Sequence, residues 1–207
     1  MITTRKDLRF YIQEDAKRNG FYKRYFAYIV GLLVGNENAH IFKYLKLLRH
    51  TEYHYNNRKF FIHKCLFYFY KIRYKRLGVK LNISIHPNVC GYGLRIMHLS
   101  GGGGVLLNIE KAGNYCGFNA GCLIGTNGPG DTRPKIGDYV AFGPGAKAFG
   151  NISIGDNVFV AANSVVTKDV ESNRIVGGIP AKLIKERKLE DNVVYKEFGY
   201  NRSKCLI

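Results

Sequence analysis

Hydrophobic positions follow two different periods along the chain. From about Asp7 to Leu81, aromatic and aliphatic residues return at helical spacing among Lys and Arg, with no Pro and little Gly. This pattern predicts helices over roughly 6–18, 21–34, 38–51 and 57–77, with Gly35 and Asn36 marking one break and Asn56 and Asn57 another. Past Leu81 the texture changes: Gly becomes frequent, aromatic residues thin out, and a period of six appears.

The six-residue period runs through Ala112, Phe118, Ile124, Ile136, Phe142, Ala148, Ile154, Val160 and Val166. Four residues after each comes a small or β-branched side chain in nearly every case: Cys116, Cys122, Gly128, Val140, Ala146, Ile152, Val158, Ser164 and Val170. A strand alternates with period two and a helix with period 3.6, so neither explains the recurrence. A triangular coil does, with one short strand and one turn per hexapeptide and three hexapeptides per rung. The first series fills the prism and the second, held small by the tight corner, also points inward. The expected organisation is a helical region over 1–80, a left-handed parallel β-helix over 81–184 and a tail over 185–207.

Composition changes this picture in two places. The net charge of +17 suggests a nucleic-acid binder, but residues 1–80 hold 18 Lys and Arg against 5 Asp and Glu, a balance of +13, while residues 81–207 hold only +4. The basic character belongs to the helices, which carry no recognised nucleic-acid motif, and no nucleic-acid partner is expected. The five cysteines, Cys65, Cys90, Cys116, Cys122 and Cys205, include no C-x-x-C pair, against both a disulfide framework and a zinc knuckle. A reducing cytoplasm fits. The longest apolar stretch, Phe26–Val34, reaches about half a bilayer, so neither secretion nor a membrane span is expected.

The most specific motifs are Ile85-His86-Pro87, His98 followed by the glycine run Gly101 to Gly104, Pro134-Lys135-Ile136-Gly137, Phe142 to Lys147, Asn163 to Val170 and Gly178-Ile179-Pro180-Ala181-Lys182. In this order they resemble the hexapeptide-repeat acyltransferase superfamily. The segment from Ile83 to Ile184 is similar to serine acetyltransferases and their relatives in polysaccharide-biosynthesis clusters. The resemblance implies acetyl-CoA as donor, no metal, and a homotrimer whose donor groove lies between neighbouring coils.

Acetyl transfer to an alcohol needs a base for the hydroxyl proton, and neutral imidazole suits that work near neutral pH. The coil holds two histidines. His98 aligns with the superfamily's catalytic histidine, while His86 opens the repeats in a His-Pro turn and reads as structural. A γ-type carbonic anhydrase on the same fold would need three histidines per zinc, more than the coil holds.

The resemblance places Ser84, Asp131 and Arg133 toward the acceptor, and it is there that the chain departs from the serine acetyltransferase pattern. Ser84 and Met97 stand where that family carries aspartates, and Arg133 stands where it carries a second histidine. Ser84, a backbone carbonyl or water must then orient His98. For the donor, the matching positions are Gly125, Thr126, Pro144, Gly145 and Ala162 at turns, with Lys168 and Lys182 toward the CoA phosphates. The spacing of Cys116 and Cys122 makes them core residues rather than nucleophiles.

These departures favour a sugar hydroxyl of a surface-polysaccharide or sugar-nucleotide precursor over free serine as acceptor. Serine O-acetylation is the alternative, and a non-catalytic β-helix scaffold is a further one. The basic helices are expected to pack on the coil, with peripheral contact to the inner face of the membrane as a second reading.

Overall fold

The computed structural model describes residues 1–130 and 132–198. Four helices precede the coil: α1 (Arg5–Arg18), α2 (Tyr25–Leu33), α3 (Glu37–Asn56) and α4 (Phe61–Leu81). Helix α1 starts at a capping box, in which the Thr4 hydroxyl accepts from the Asp7 N–H and the Asp7 carboxylate accepts from the Thr4 N–H. Four boundaries differ from the sequence expectation by more than a residue, among them the end of α3, which runs on from the expected 51 to Asn56. Helix α2 begins at Tyr25 because residues 21–24 form a turn, with Lys23 at positive φ. Helix α4 begins at Phe61 and runs on to Leu81 through Gly78, where a Cβ would lie 2.6 Å from the Ile83 carbonyl oxygen. Only glycine lets this helix approach the first strand so closely.

The coil has three flat faces. The first stacks β1 (Ile83–Ile85), β3 (Val105–Leu107), β6 (Leu123–Gly125), β9 (Lys147–Phe149) and β12 (Val165–Val166), all parallel. The second stacks β4 (Lys111–Ala112), β7 (Lys135–Ile136) and β10 (Ser153–Ile154). The third stacks β2 (Arg95–Met97), β5 (Gly117–Asn119), β8 (Ala141–Phe142), β11 (Phe159–Val160) and β13 (Arg174–Gly178), and ends with β14 (Ala181–Glu186) folded back antiparallel. A short helix, α5 (Val193–Phe198), follows.

All nine residues of the first hexapeptide series are buried, and Phe118 stacks on Phe142 at 5.5 Å between ring centroids in the prism. The second series is buried too, except Val170, which is partly exposed, and Gly128, which lies where the chain leaves the coil as a loop. Cys116 and Cys122 are core residues, and burial pushes their thiols up to about 12 and about 11.

Of the three edges, the one between the second and third faces is sealed. Tyr92, Tyr115 and Tyr139 stack up it and pack against Phe10 and Tyr11 of α1 and Tyr195 and Phe198 of α5. The helices are fastened to the base of the coil by Arg49, which is fully buried. Its Nε donates to Asp15 Oδ2 at 2.8 Å, and its Nη1 donates to Glu52 Oε2 at 3.0 Å and to the Cys90 carbonyl at 2.9 Å. Asp15 also accepts from the Leu94 N–H, and Glu52 from the Asn88 N–H. No described helix is long and apolar enough to cross a membrane.

Candidate functional site

The two unsealed edges flank the first face, and each carries one departure from the regular rung. On the edge from the third face to the first, β2 and β3 are separated by residues 98–104, whereas 120–122 suffice between β5 and β6. On the edge from the first face to the second, β6 and β7 are separated by residues 126–134, against 108–110 between β3 and β4. The extra residues lift loops out of the wall without disturbing the rungs.

His98 opens the first of these loops. It is exposed, sits in the left-handed region at φ 60° and ψ 38°, and precedes a 3-10 turn over Leu99–Gly101. Histidine tolerates this conformation better than β-branched residues do, and it turns the imidazole out of the coil. Above it the same edge is built from small residues in tight vertical contact. A Cβ on Gly103 would lie 3.1 Å from the Gly121 Cα, and one on Gly121 would lie 3.2 Å from the Gly145 Cα. Pro144, Gly145 and Ala162 belong to this edge. Lys182 pairs with Gly177 beside the hairpin that ends it, where the Gly178 N–H donates to Ser164 Oγ at 3.0 Å.

The remaining candidates sit elsewhere. Gly125, Thr126, Arg133 and Lys168 lie along the opposite edge of the first face. Arg133 is exposed and its charge acts on His86, whose imidazole is held below its ordinary value by burial first and then by Lys75 and Arg133. Within one chain, therefore, Arg133 joins His86 and not His98. Ser84 points outward from β1 into a groove of about 620 Å³ between α4 and the first face, which Tyr74, Gly78, Gly104 and Gly121 also line. Asp131 lies outside the described residues.

The residue that sequence reasoning missed is Glu37, the first residue of α3. Its carboxylate accepts from the Ser100 N–H at 3.0 Å and from the Ser100 hydroxyl at 2.7 Å, so a helical side chain grips the turn that follows His98. Burial raises the Glu37 carboxyl, but hydrogen bonds from Ser100 and the Leu99 N–H, with His98 close by, outweigh it and hold the group below its ordinary value. The expectation named Ser84, a backbone carbonyl or water as the group that orients His98; a carboxylate from 61 residues upstream fixes the turn that follows it. The only local signal was the Gly35-Asn36 break, where Asn36 caps α3 by accepting from the Ala39 N–H.

The chain has counterparts among known proteins. The serine acetyltransferase of Synechococcus elongatus is 40% identical over 105 residues, which are 49% of this chain and 42% of that protein. The chain thus spans less than half the length of this curated relative. The crystal structure of the Neisseria gonorrhoeae serine acetyltransferase in complex with serine superposes with a TM-score of 0.61 at 30% identity, over 87% of this chain and 70% of that one. That of the Brucella abortus enzyme in complex with coenzyme A gives a TM-score of 0.63 at 28% identity, over 87% and 67%. No sequence-family model matches the chain. The hexapeptide coil, the helices at its base and these similarities together make the chain a member of the serine acetyltransferase family of hexapeptide-repeat, left-handed β-helix acyltransferases.

Proposed function

We propose that the chain is an acetyl-CoA-dependent O-acetyltransferase with His98 as general base, acting as a homotrimer. The observation that carries this reading is that the His98 loop and the 126–134 loop flank one open face from opposite edges. A neighbouring coil set on that face would bring its own 126–134 loop toward His98, and the donor candidates, divided between the two edges in one chain, would then line a common groove. Glycine and alanine there let a pantetheine arm lie close to backbone amides, and Lys168 and Lys182 would meet its phosphates.

In this reading the His98 imidazole takes the acceptor's hydroxyl proton as the oxygen bonds to the thioester carbonyl carbon. The C–S bond then breaks, and the proton passes from imidazolium to the CoA sulfur. Glu37 holds the turn and faces the charge that forms on the ring.

Serine is the acceptor that the relatives support, since they are named serine acetyltransferases and one was crystallised with serine. A saccharide hydroxyl, favoured from sequence alone, stands as the second reading on one observation: Ser84, Met97 and Arg133 replace two carboxylates and a histidine expected to grip an amino acid. Its setting would be the cytoplasmic side of the membrane, with the basic helices in peripheral contact.

CoA thiol release, measured with serine, nucleotide sugars and oligosaccharides, separates these readings. Release on serine at least equal to that on the best saccharide supports the first, and a saccharide preference transfers the acceptor to the second. A folded protein silent with all of them overturns the enzymatic reading. Sedimentation as a monomer at micromolar concentration overturns the trimer.

A further inference from the structure

Helix α4 buries only one side. Phe67, Tyr74 and Gly78 face the rest of the protein, while Phe61, Cys65, Tyr68 and Ile72 follow one another at spacings of four, three and four residues on the side turned away. This is a single helical line. Its apolar members are open to solvent, with Phe61 at 82%, Tyr68 at 53% and Ile72 at 55% exposure. Around the helix axis, Lys64, Lys71 and Lys75 flank the line on one side, and Arg73, Arg76 and Lys80 on the other.

We propose that this stripe is a docking surface for an anionic membrane, on which α4 lies flat with its aromatic and aliphatic residues in the headgroup boundary. Charge favours a lipid occupant. Residues 57–82 hold eight Lys and Arg and no acidic residue, and no Asp or Glu occurs anywhere between Glu52 and Glu110. A second copy meeting the stripe with its own α4 would bring the same eight basic residues of 57–82 and no acid, whereas anionic headgroups match the basic borders while the apolar line inserts between them. Lys and Arg suit such borders because their alkyl stems cover apolar surface while their charges reach outward.

The inference rests on the peripheral contact in the proposed function and is independent of the chemistry at His98. It is tested by cosedimentation of the full chain with vesicles of phosphatidylcholine containing phosphatidylglycerol and with vesicles of phosphatidylcholine alone. The expected result is binding to the anionic vesicles that weakens with added salt, and a loss of about tenfold or more in the triple variant Phe61→Ser, Tyr68→Ser, Ile72→Ser. All three side chains are exposed, so the variant should fold and keep its acetyl transfer to a soluble acceptor.

Wild-type protein that binds neither vesicle overturns membrane contact altogether. Equal binding by wild type and variant overturns the stripe and leaves the contact to another part of the basic segment. A smaller sedimenting species in the variant would mean that a second copy covers the stripe, and would also overturn the proposal.

Discussion

Glu37 and Ser100 tie the first turn of α3 to the loop that carries His98, through hydrogen bonds of 3.0 Å from the Ser100 amide and 2.7 Å from its hydroxyl. Both bonds end on one carboxylate, so Glu37→Ala releases the turn and removes the charge near the imidazole together. Transfer is expected to fall about tenfold or more, chiefly in kcat, as is usual when a group that orients a working histidine is lost. Ser100→Ala keeps the amide bond and should cost less. If Glu37 acts through His98, Glu37→Gln will also displace the pH profile of kcat, which a purely structural contact would leave in place.

The coil was legible in the sequence because its interior repeats: a series in phase from Ala112 to Val166 has one geometrical solution, and all nine members are buried. Gly128 broke the pattern because the 126–134 loop keeps phase with the rungs while leaving the wall. The helices were legible as elements through their period, but their ends were set by tertiary contacts, as at Gly78 against Ile83. Motif order placed His98 on an edge. It did not reveal that Arg133 and Lys168 lie on the other edge, since a linear sequence does not say which corner of a triangle a loop occupies. Glu37 was invisible for a different reason, being joined to its site only by the packing of α3 beneath the coil.

His98→Ala should leave the fold intact, because the side chain is exposed and makes no cap bond to the turn that follows. Acetyl transfer should drop by about 100-fold or more, the scale usual for losing a general base. His86→Ala, on the opposite edge, should cost far less. Steady-state assays of both variants check this, and near-wild-type turnover by His98→Ala would remove it from the mechanism.

Arg49 is the fastening whose loss should cost most stability. Burial raises the carboxyls of Asp15 and Glu52 while Arg49 counters it, so both depend on the one guanidinium for charge compensation. Arg49→Ala strands two acidic groups and the Cys90 carbonyl in the interior, a change expected to cost about 3–5 kcal/mol. Urea denaturation measures it. A variant within about 1 kcal/mol of wild type would show that the helices hold to the coil without this network.

Acid sensitivity should arise in the helices at His54 and His63, whose Nδ1 atoms lie 3.1 Å apart. One nitrogen must donate and the other accept, so the pair cannot keep this contact with both rings charged. Burial, then the charges of His63 and His50, hold His54 down to about 4, and its ring stacks on Tyr70 at 5.3 Å. At a pH above the ordinary histidine value both the folded and unfolded forms of His54 are neutral, and the native state keeps its full stability. As pH falls from about 6.5 toward 4, the unfolded chain takes up a proton that the folded chain refuses, so stability declines; below about 4 the folded form protonates too and the loss stops growing. His50, also held down by burial and then by Lys46, contributes with the same sign, whereas Asp15 and Glu52, raised by burial, act in the opposite sense at pH values just above the ordinary carboxylate range. The decisive measurement is therefore a difference: urea midpoints at about pH 7.5 and about pH 5 for wild type and for His54→Gln. The wild-type midpoint should fall further between the two conditions than that of the variant, and equal falls would show that this pair does not set the acid limb.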